Sequence, residues 1–379
     1  MPVETITLGC RLNFAESETL ARQAAPGDWI IVNSCAVTSE AVRQTRQAIR
    51  RAHRRRPDAR ILVTGCAAEL EPGQFAAMPG VDRVVGNAEK LATNIVPAGN
   101  QGHVRSFVAV QTGCDHDCTF CAIAPARGPS RSFAYADIRS AVERELDRGA
   151  REIVLTGVDI TSYEGGLGPL SERLLRDIPE LQRLRLSSLD SIEIDETLFA
   201  LIAGEPRLLP HFHLSLQSGD DLILKRMKRR HNRAQAVAMV ERIKTVRPDA
   251  SIGADLIAGF PTESEQAAMN TLRLLDDCDV VAGHIFPFSP RPGTPAARMP
   301  QLEREMVKAR AARLRERAAQ RRSAWLDSQV GSVQRVLVEN GGKGHTDAFA
   351  PVALEAPSNR LCDVRVTGAT ADHLIGVPT

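Results

Sequence analysis

Aromatic residues are scarce, at 4% of 379 residues with two tryptophans and two tyrosines. A protein that holds single-stranded nucleic acid on broad stacking platforms needs more of them, so that class is disfavoured. No stretch approaches the ~20 apolar residues of a membrane-spanning helix. The first residues lack the basic-then-apolar order of a signal peptide. A cytoplasmic protein with no membrane partner is the expectation. No Ser-His-Asp set or pair of carboxylates stands out, so ordinary hydrolytic chemistry has no visible carrier. Net charge is only +2, and the distribution of charge says more than the total. Arg43, Arg46, Arg50, Arg51, Arg54, Arg55, Arg56 and Arg60 crowd one stretch, and Lys225-Arg226-Met227-Lys228-Arg229-Arg230-His231 forms a second basic knot. Such patches suit a polyanion, and each is equally readable as a solvated helix face.

What is present is cysteine, eight in all. In a cytosolic chain these are ligands or buried thiols rather than disulfides. Three of them stand in Gly113-Cys114-Asp115-His116-Asp117-Cys118-Thr119-Phe120-Cys121, just after the apolar run Phe107-Val108-Ala109-Val110. The C-x3-C-x2-C spacing lets three thiolates converge on one small inorganic object. Four local ligands would suggest a closed zinc site. Three suggest an iron–sulfur cluster with one iron left open, which makes the loop chemical rather than structural. The alternative is zinc with a borrowed fourth ligand such as His116.

The chain is long enough for two or three domains, and a hydrophobic fraction of 43% supplies their cores. Up to about Asn100, short apolar runs alternate with helical ones. Thr5–Leu8, Trp29–Val32 and Arg60–Thr64 read as strands, and Ala15–Ala24 and Glu40–Arg55 as helices. Each strand delivers a cysteine at its C-terminal end: Cys10, Cys35 and Cys66. Ligands of open α/β sheets bind at that edge, so these three cysteines can meet in a second three-thiolate site. A single buried cysteine would be unremarkable; the repeated position argues for a ligand set. Asn13 can hydrogen-bond near this site, or cap a helix with Glu16 at the third position.

Val96-Pro97-Ala98-Gly99-Asn100-Gln101-Gly102 has the composition of a linker. Strand candidates follow at Phe107–Gln111, Ile153–Thr156, Leu184–Ser187, Phe212–Leu216, Ile252–Ile257 and Val281–Phe286, with helices between them. Six strands fall short of a complete eight-stranded β/α barrel, so an open, partial barrel is expected. In His211–Gln217 the two-residue period sets His213, Ser215 and Gln217 opposite Phe212, Leu214 and Leu216. His213 reads as a hydrogen-bonded core histidine before a metal ligand. Asp255, inside an apolar run, needs a partner or a ligand. A long Ala/Arg/Glu helix spans about Leu302–Leu326. Short strands at Val333–Val338, Ala348–Val352 and Leu361–Val366 then suggest a small β-barrel.

The cysteine loop after the first barrel strand resembles the signature of the radical S-adenosylmethionine superfamily. The resemblance implies a 4Fe–4S cluster on Cys114, Cys118 and Cys121, whose open iron chelates S-adenosylmethionine and whose electron releases a 5′-deoxyadenosyl radical. Phe120 matches the aromatic favoured between the last two cysteines. Gly157, Asp159, Ser187, Gln217, Asp255 and Phe286 fall where such enzymes line the cofactor pocket. A narrower resemblance spans nearly the whole chain. Leu8-Gly9-Cys10-Arg11-Leu12-Asn13, Val32-Asn33-Ser34-Cys35, Thr64-Gly65-Cys66, Ala126-Arg127-Gly128, Ser130-Arg131-Ser132, Leu216-Gln217-Ser218-Gly219 and Phe288-Ser289-Pro290-Arg291-Pro292-Gly293-Thr294 are similar to methylthiotransferase motifs. That family implies a second 4Fe–4S cluster on Cys10, Cys35 and Cys66. It also implies two uses of S-adenosylmethionine: methylating a sulfur carried at the second cluster, and making the radical.

Ala36-Val37-Thr38 and Gly80–Lys90 look most like the branch that methylthiolates carbon 2 of N6-threonylcarbamoyladenosine at tRNA position 37, in the anticodon loop. Isopentenyladenosine tRNA and a ribosomal-protein aspartate are the family's other targets. A non-catalytic, metal-containing RNA-binding protein is the reading from outside enzymology. The implied partners are tRNA, an electron donor such as a flavodoxin or ferredoxin, and a sulfur source, acting on a monomer. Arg127, Arg131, Arg229 and Arg230 are candidate RNA or substrate contacts, by charge and placement. The expected domains are 1–98 for the second cluster, 104–300 for the partial barrel, 301–326 for a connecting helix and 327–379 for a TRAM-like RNA-binding barrel. Pro261-Thr262-Glu263 departs from the Pro-Gly-Glu of many relatives.

Overall fold

The computed structural model describes residues 3–24, 27–91, 95–100, 102–339 and 341–379. It divides into two compact units, Met1–Glu164 with Ser289–Ala297, and Gly165–Phe288 with Arg298–Thr379.

The first unit opens with a parallel sheet of β1 (Glu4–Thr7), β2 (Trp29–Ser34), β3 (Arg60–Gly65) and β4 (Val81–Val85), hydrogen-bonded in that order. The runs Ile30-Ile31-Val32 and Ile61-Leu62-Val63 are rich in β-branched residues and continuous in apolar character, as strands covered on both faces require. Helices α1 (Arg11–Gln23) and α2 (Ser39–Arg55) make the crossovers. Thr38 caps α2 by accepting the Ala41 N–H at 3.1 Å. Val42, Thr45, Ile49 and Ala52 form the buried stripe of α2, which leaves its arginines on the other face. Short helices α3 (Cys66–Leu70), α4 (Pro72–Ala76) and α5 (Asn87–Leu91) surround β4.

The expected linker is not a free tether. Ala98–Gly99 forms strand β5, antiparallel to Val108 and Phe107 of β6 (Arg105–Ala109). Val96, Pro97, Ala98 and Gly99 are all buried, so packing overrides the turn-like composition. Gln101 lies outside the described residues. The expected strand Phe107–Gln111 is broken, and Gln111–Thr112 forms β7, paired with β8 (Arg131–Ser132). Between them run the cysteine loop and helix α6 (Ile123–Arg127). Helix α7 (Tyr135–Asp147) then leads to β9 (Glu152–Thr156), which lies parallel to β6.

The second unit holds α8 (Leu167–Asp177), β10 (Leu184–Leu186), β11 (Ser188–Leu189), α9 (Glu196–Gly204), β12 (His211–Gln217), α10 (Asp221–Arg226), α11 (Arg233–Val246), β13 (Ser251–Ala258), α12 (Glu265–Asp277) and β14 (Val280–Pro287). Strands β11, β12, β13 and β14 form a parallel sheet in chain order. The long helix α13 (Arg304–Asp327) packs on β14 and α12. A closed barrel follows: β15 (Val333–Val338), β16 (Lys343–Thr346), β17 (Pro351–Ala353), β18 (Arg360–Ala369) and β19 (Leu374–Pro378).

One loop of this small barrel grips the starts of the larger strands. Phe349 stacks on His211 at 5.1 Å and on His345 at 4.7 Å, with the Arg185 guanidinium 4.6 Å from its ring. The Ser251 hydroxyl donates to the Ala348 carbonyl at 2.6 Å, and fully buried Arg183 pairs with Asp347. The attachment is therefore at the strands' N-terminal ends, where conserving the fold rather than chemistry is the usual role.

Candidate active site

Cys10 follows the end of β1 and caps α1, Cys35 follows β2, and Cys66 opens α3 after β3. Parallel order brings the three strand ends to one sheet edge. Burial pushes the Cys35 thiol up to about 11, and the neighbouring Cys10 and Cys66 thiols add to that shift against the Val37 N–H. A Cβ on Gly9 would stand 2.9 Å from Cys35 Sγ and 3.3 Å from Asn13 Nδ2, and the residue adopts φ +99°, so glycine alone fits this turn.

Behind the thiols lies a buried polar network. Arg127 Nε donates to Cys66 Sγ at 3.2 Å, and its other nitrogens donate to Glu16 Oε1 and Asn13 Oδ1, each at 2.5 Å. Lys90 Nζ donates to Glu16 Oε2 at 2.6 Å. Burial opposes the charge on Glu16, but Arg127 and Lys90 outweigh it and hold the carboxyl down at about 2. Burial lowers the Lys90 pKa, against the pull of Glu16. Asn13 is not the expected cap, because α1 begins two residues earlier. Its amide instead donates to the carbonyls of Leu8 at 2.8 Å and Ser34 at 2.9 Å, tying the ends of β1 and β2 together.

The loop cysteines sit in the same unit. The N–H of His116 points at Cys114 Sγ (3.4 Å), and that of Ile123 at Cys121 Sγ (3.3 Å). Burial drives the Cys114 thiol up to about 12, with Asp159, Cys121 and Cys118 adding. Burial also raises Cys121, with Cys118 and Cys66 adding. The helix that Cys66 opens packs on α6, which begins two residues after Cys121, so the two cysteine groups are neighbours. The raised thiols of Cys35, Cys114 and Cys121 keep their protons until a metal displaces them. N–H groups already aimed at sulfur, thiols in threes and a glycine-shaped turn fit iron–sulfur clusters, which take thiolate ligands and N–H···S bonds. His116 lies 3.3 Å from Asp159, and donor atoms of Cys114, His116 and Asp159 fall within 4.8 Å of one another. Phe120 is half-buried in the loop.

Gln111 joins this loop to the end of β9. Its Oε1 accepts the N–H of Asp159 at 2.9 Å and of Val158 at 3.2 Å, while its Nε2 donates to the Gly113 carbonyl at 2.7 Å. Glycine at 157 was expected to admit a ligand; the group pressed against it is Gln111, whose carbonyl oxygen would lie 2.7 Å from a Cβ there.

In the second unit, Ser187 is buried between β10 and β11, and half-buried Phe286 pairs with Ile257 across β13 and β14. Gln217 ends β12 at φ +65°, a strained setting for a residue other than glycine. Asp255 Oδ1 lies 3.0 Å from His213 Nε2 and 3.2 Å from His284 Nδ1. Burial opposes its charge, yet the two imidazoles hold its carboxyl well below the usual range. His213 is thus a hydrogen-bonded partner, and the charge in the apolar run is answered.

Residues 108–275 match the radical SAM superfamily model, and residues 2–86 match the model described as uncharacterized protein family UPF0004. A threonylcarbamoyladenosine tRNA methylthiotransferase MtaB of Rickettsia prowazekii (strain Madrid E) is 42% identical over 93% of this chain and 91% of that protein. The chain belongs to the radical S-adenosylmethionine methylthiotransferase family. A tRNA-2-methylthio-N(6)-dimethylallyladenosine synthase of Paracoccus denitrificans (strain Pd 1222) is 31% identical, covering 98% of this chain and 95% of that one. The radical S-adenosylmethionine methyltransferase TsrM from Kitasatospora setae shares the fold, with a TM-score of 0.57 at 14% identity over 73% of this chain and 67% of that chain. A radical SAM enzyme uses a 4Fe–4S cluster and S-adenosylmethionine, which sets aside zinc at the cysteine loop.

Within this methylthiotransferase, two of the four expected RNA-contacting arginines are committed elsewhere. Arg127 is buried behind Cys66, with 2% of its side chain exposed. Arg229 is buried on Asp190 at 3.0 Å and on the Ser215 carbonyl at 2.9 Å. Each sits where a buried acid demands a cation, a demand that charge counting along the chain does not reveal. Arg230 is more exposed and pairs with Glu193 at 2.6 Å, and Arg131 is exposed over the Phe133 ring. Glu16, Lys90 and Gln111 escaped the sequence reading. Gln111 ends an apolar run, which is a signal of its own kind, whereas Glu16 and Lys90 stand among polar neighbours and carry none. Thr262 holds φ +65°, the glycine-like conformation, and its hydroxyl accepts from Arg226 at 2.6 Å.

Proposed function

We propose that this enzyme methylthiolates carbon 2 of N6-threonylcarbamoyladenosine at position 37 of tRNA. The observation that carries the reading is the neighbouring pair of three-cysteine groups in one unit. Each group offers three thiolates, so each of two 4Fe–4S clusters would keep an open iron. Cys114, Cys118 and Cys121 would hold the first, and Cys10, Cys35 and Cys66 the second. When bound, the first cluster supplies the electron that cleaves S-adenosylmethionine to a carbon radical. Gln111 fixes the loop of the first group to Asp159. By the family resemblance, Phe120, Gly157, Asp159, Ser187, Gln217, Asp255 and Phe286 are the proposed cofactor contacts.

The domain limits 1–98, 104–300, 301–326 and 327–379 belong to the same proposal, supported by the two family matches and the closed C-terminal barrel. So do a cytoplasmic location, a monomeric state, a flavodoxin or ferredoxin as reductant and a separate sulfur source. Among the described residues no helix is long and apolar enough to cross a membrane. The exposed Arg50, Arg51 and Arg54 of α2 are open to tRNA phosphates, as are Arg131 and Arg230.

Dimethylallyladenosine is the second reading, favoured by the Paracoccus relative but at lower identity. Nucleoside analysis of tRNA from a strain lacking the gene separates them. Loss of methylthio-threonylcarbamoyladenosine alone is expected. Loss only of the methylthiolated isopentenyl nucleoside supports the second reading, and unchanged tRNA nucleosides reject both.

A further inference from the structure

Arg127 stands six residues after Cys121 in the loop, yet its side chain ends among the distant cysteines. It lies on Cys66 Sγ and is paired with Glu16, which Lys90 also holds. These three charged groups are almost sealed from water: side-chain exposure is 2% for Arg127, 4% for Glu16 and 5% for Lys90. The Arg127 guanidinium thus brings a buried positive charge to within 3.2 Å of a ligand sulfur, shared with the Glu16 carboxylate. A buried charge is costly unless something opposes it. An oxidised cubane on three thiolates carries one net negative charge, and reduction adds a second. The pocket is therefore complementary to a filled site and still more so to a reduced one.

Resting on the proposed second cluster, we infer that Arg127 is a positioning residue that, with Glu16, sets the reduction potential of the cluster on Cys10, Cys35 and Cys66. Arg127 supplies a hydrogen bond to one ligand sulfur and a buried positive charge beside it, and both favour the reduced cluster. Glu16 orients the guanidinium and trims the charge.

The test is a charge series read by potentiometric electron paramagnetic resonance. The background is the full chain carrying Cys114→Ala, Cys118→Ala and Cys121→Ala, so only the second cluster reports. Arg127→Gln removes one positive charge. At the parent's midpoint it should be at least about tenfold more oxidised, a downward shift of about 59 mV for a one-electron couple. Glu16→Gln should move the midpoint the other way. The double variant restores the parent's pocket charge and should fall between the singles, and Arg127→Lys should stay close to the parent. Should Arg127→Gln fail to assemble, the upward shift of Glu16→Gln and the unmoved Arg127→Lys carry the support. Opposite shifts in an ordered series would not arise from loosened packing alone. Midpoints that do not move, or that all move one way, overturn the inference and leave the second cluster standing. A background chain that binds no cluster overturns the two-cluster reading and the inference with it.

Discussion

At the scale of single residues, the proposed assignment gives the two cysteine groups separable tasks. Cys66 belongs to the distant group and Cys121 to the loop, although they are neighbours. Cys66→Ala should spare 5′-deoxyadenosine formation under reduction and abolish transfer of the methylthio group. Chromatography of both products from one reaction checks this; loss of deoxyadenosine as well would mean the groups do not act separately. The six cysteines were legible from spacing and from strand-end position, because ligands advertise themselves by residue type. Arg127 was misread for the opposite reason. An arginine in sequence is a charge without an address, and only the buried carboxylate of Glu16 shows that its place is inside.

At the scale of elements, α1, α5 and α6 are joined by the Glu16, Lys90 and Arg127 pairs. The folded-state pKa of Glu16, about 2, lies below its ordinary 4.5. The stabilisation is therefore complete above about 4.5 and is lost as pH falls through that value toward 2. A depression of this size is worth about 3 kcal/mol. In the cluster-free chain, Glu16→Gln should flatten this part of the acid-unfolding profile, followed by circular dichroism between those pH limits; an unchanged slope would assign the acid sensitivity to other carboxylates. The main strands and long helices were readable because their periods repeat over many residues. Four of the missed elements, α3, α4, β16 and β19, are only four or five residues long, too few for a period to show. The expected linker misled because Pro and Gly report local turns, whereas β5 is held by its neighbour β6.

At the scale of the molecule, the small C-terminal barrel is bound to the strand starts of its own unit through Phe349. Removing that half-buried ring loses its contacts with His211, His345 and Arg185, so Phe349→Ala should cost about 1–3 kcal/mol. Iron content should be unaffected, since the cysteines lie in the other unit. Denaturant titration with parallel iron analysis checks both; a drop in iron would mean that the barrel supports the clusters. A barrel was legible from alternating apolar residues, but its grip was not. The contact depends on a loop residue with positive φ meeting His211 and Arg185, each more than a hundred positions away.

The two cysteine groups also differ in when they come into being. Cys114, Cys118 and Cys121 lie within eight consecutive positions, so a short loop can gather them while much of the chain is unfolded. Cys10, Cys35 and Cys66 meet only at the finished edge of β1, β2 and β3. Metal binding at such a site is inseparable from folding. On the proposed assignment, maturation has a direction: the loop can be loaded early, the sheet must close, and only then can the second cluster be inserted. Cys10, the exposed member of the late group, would be its point of entry.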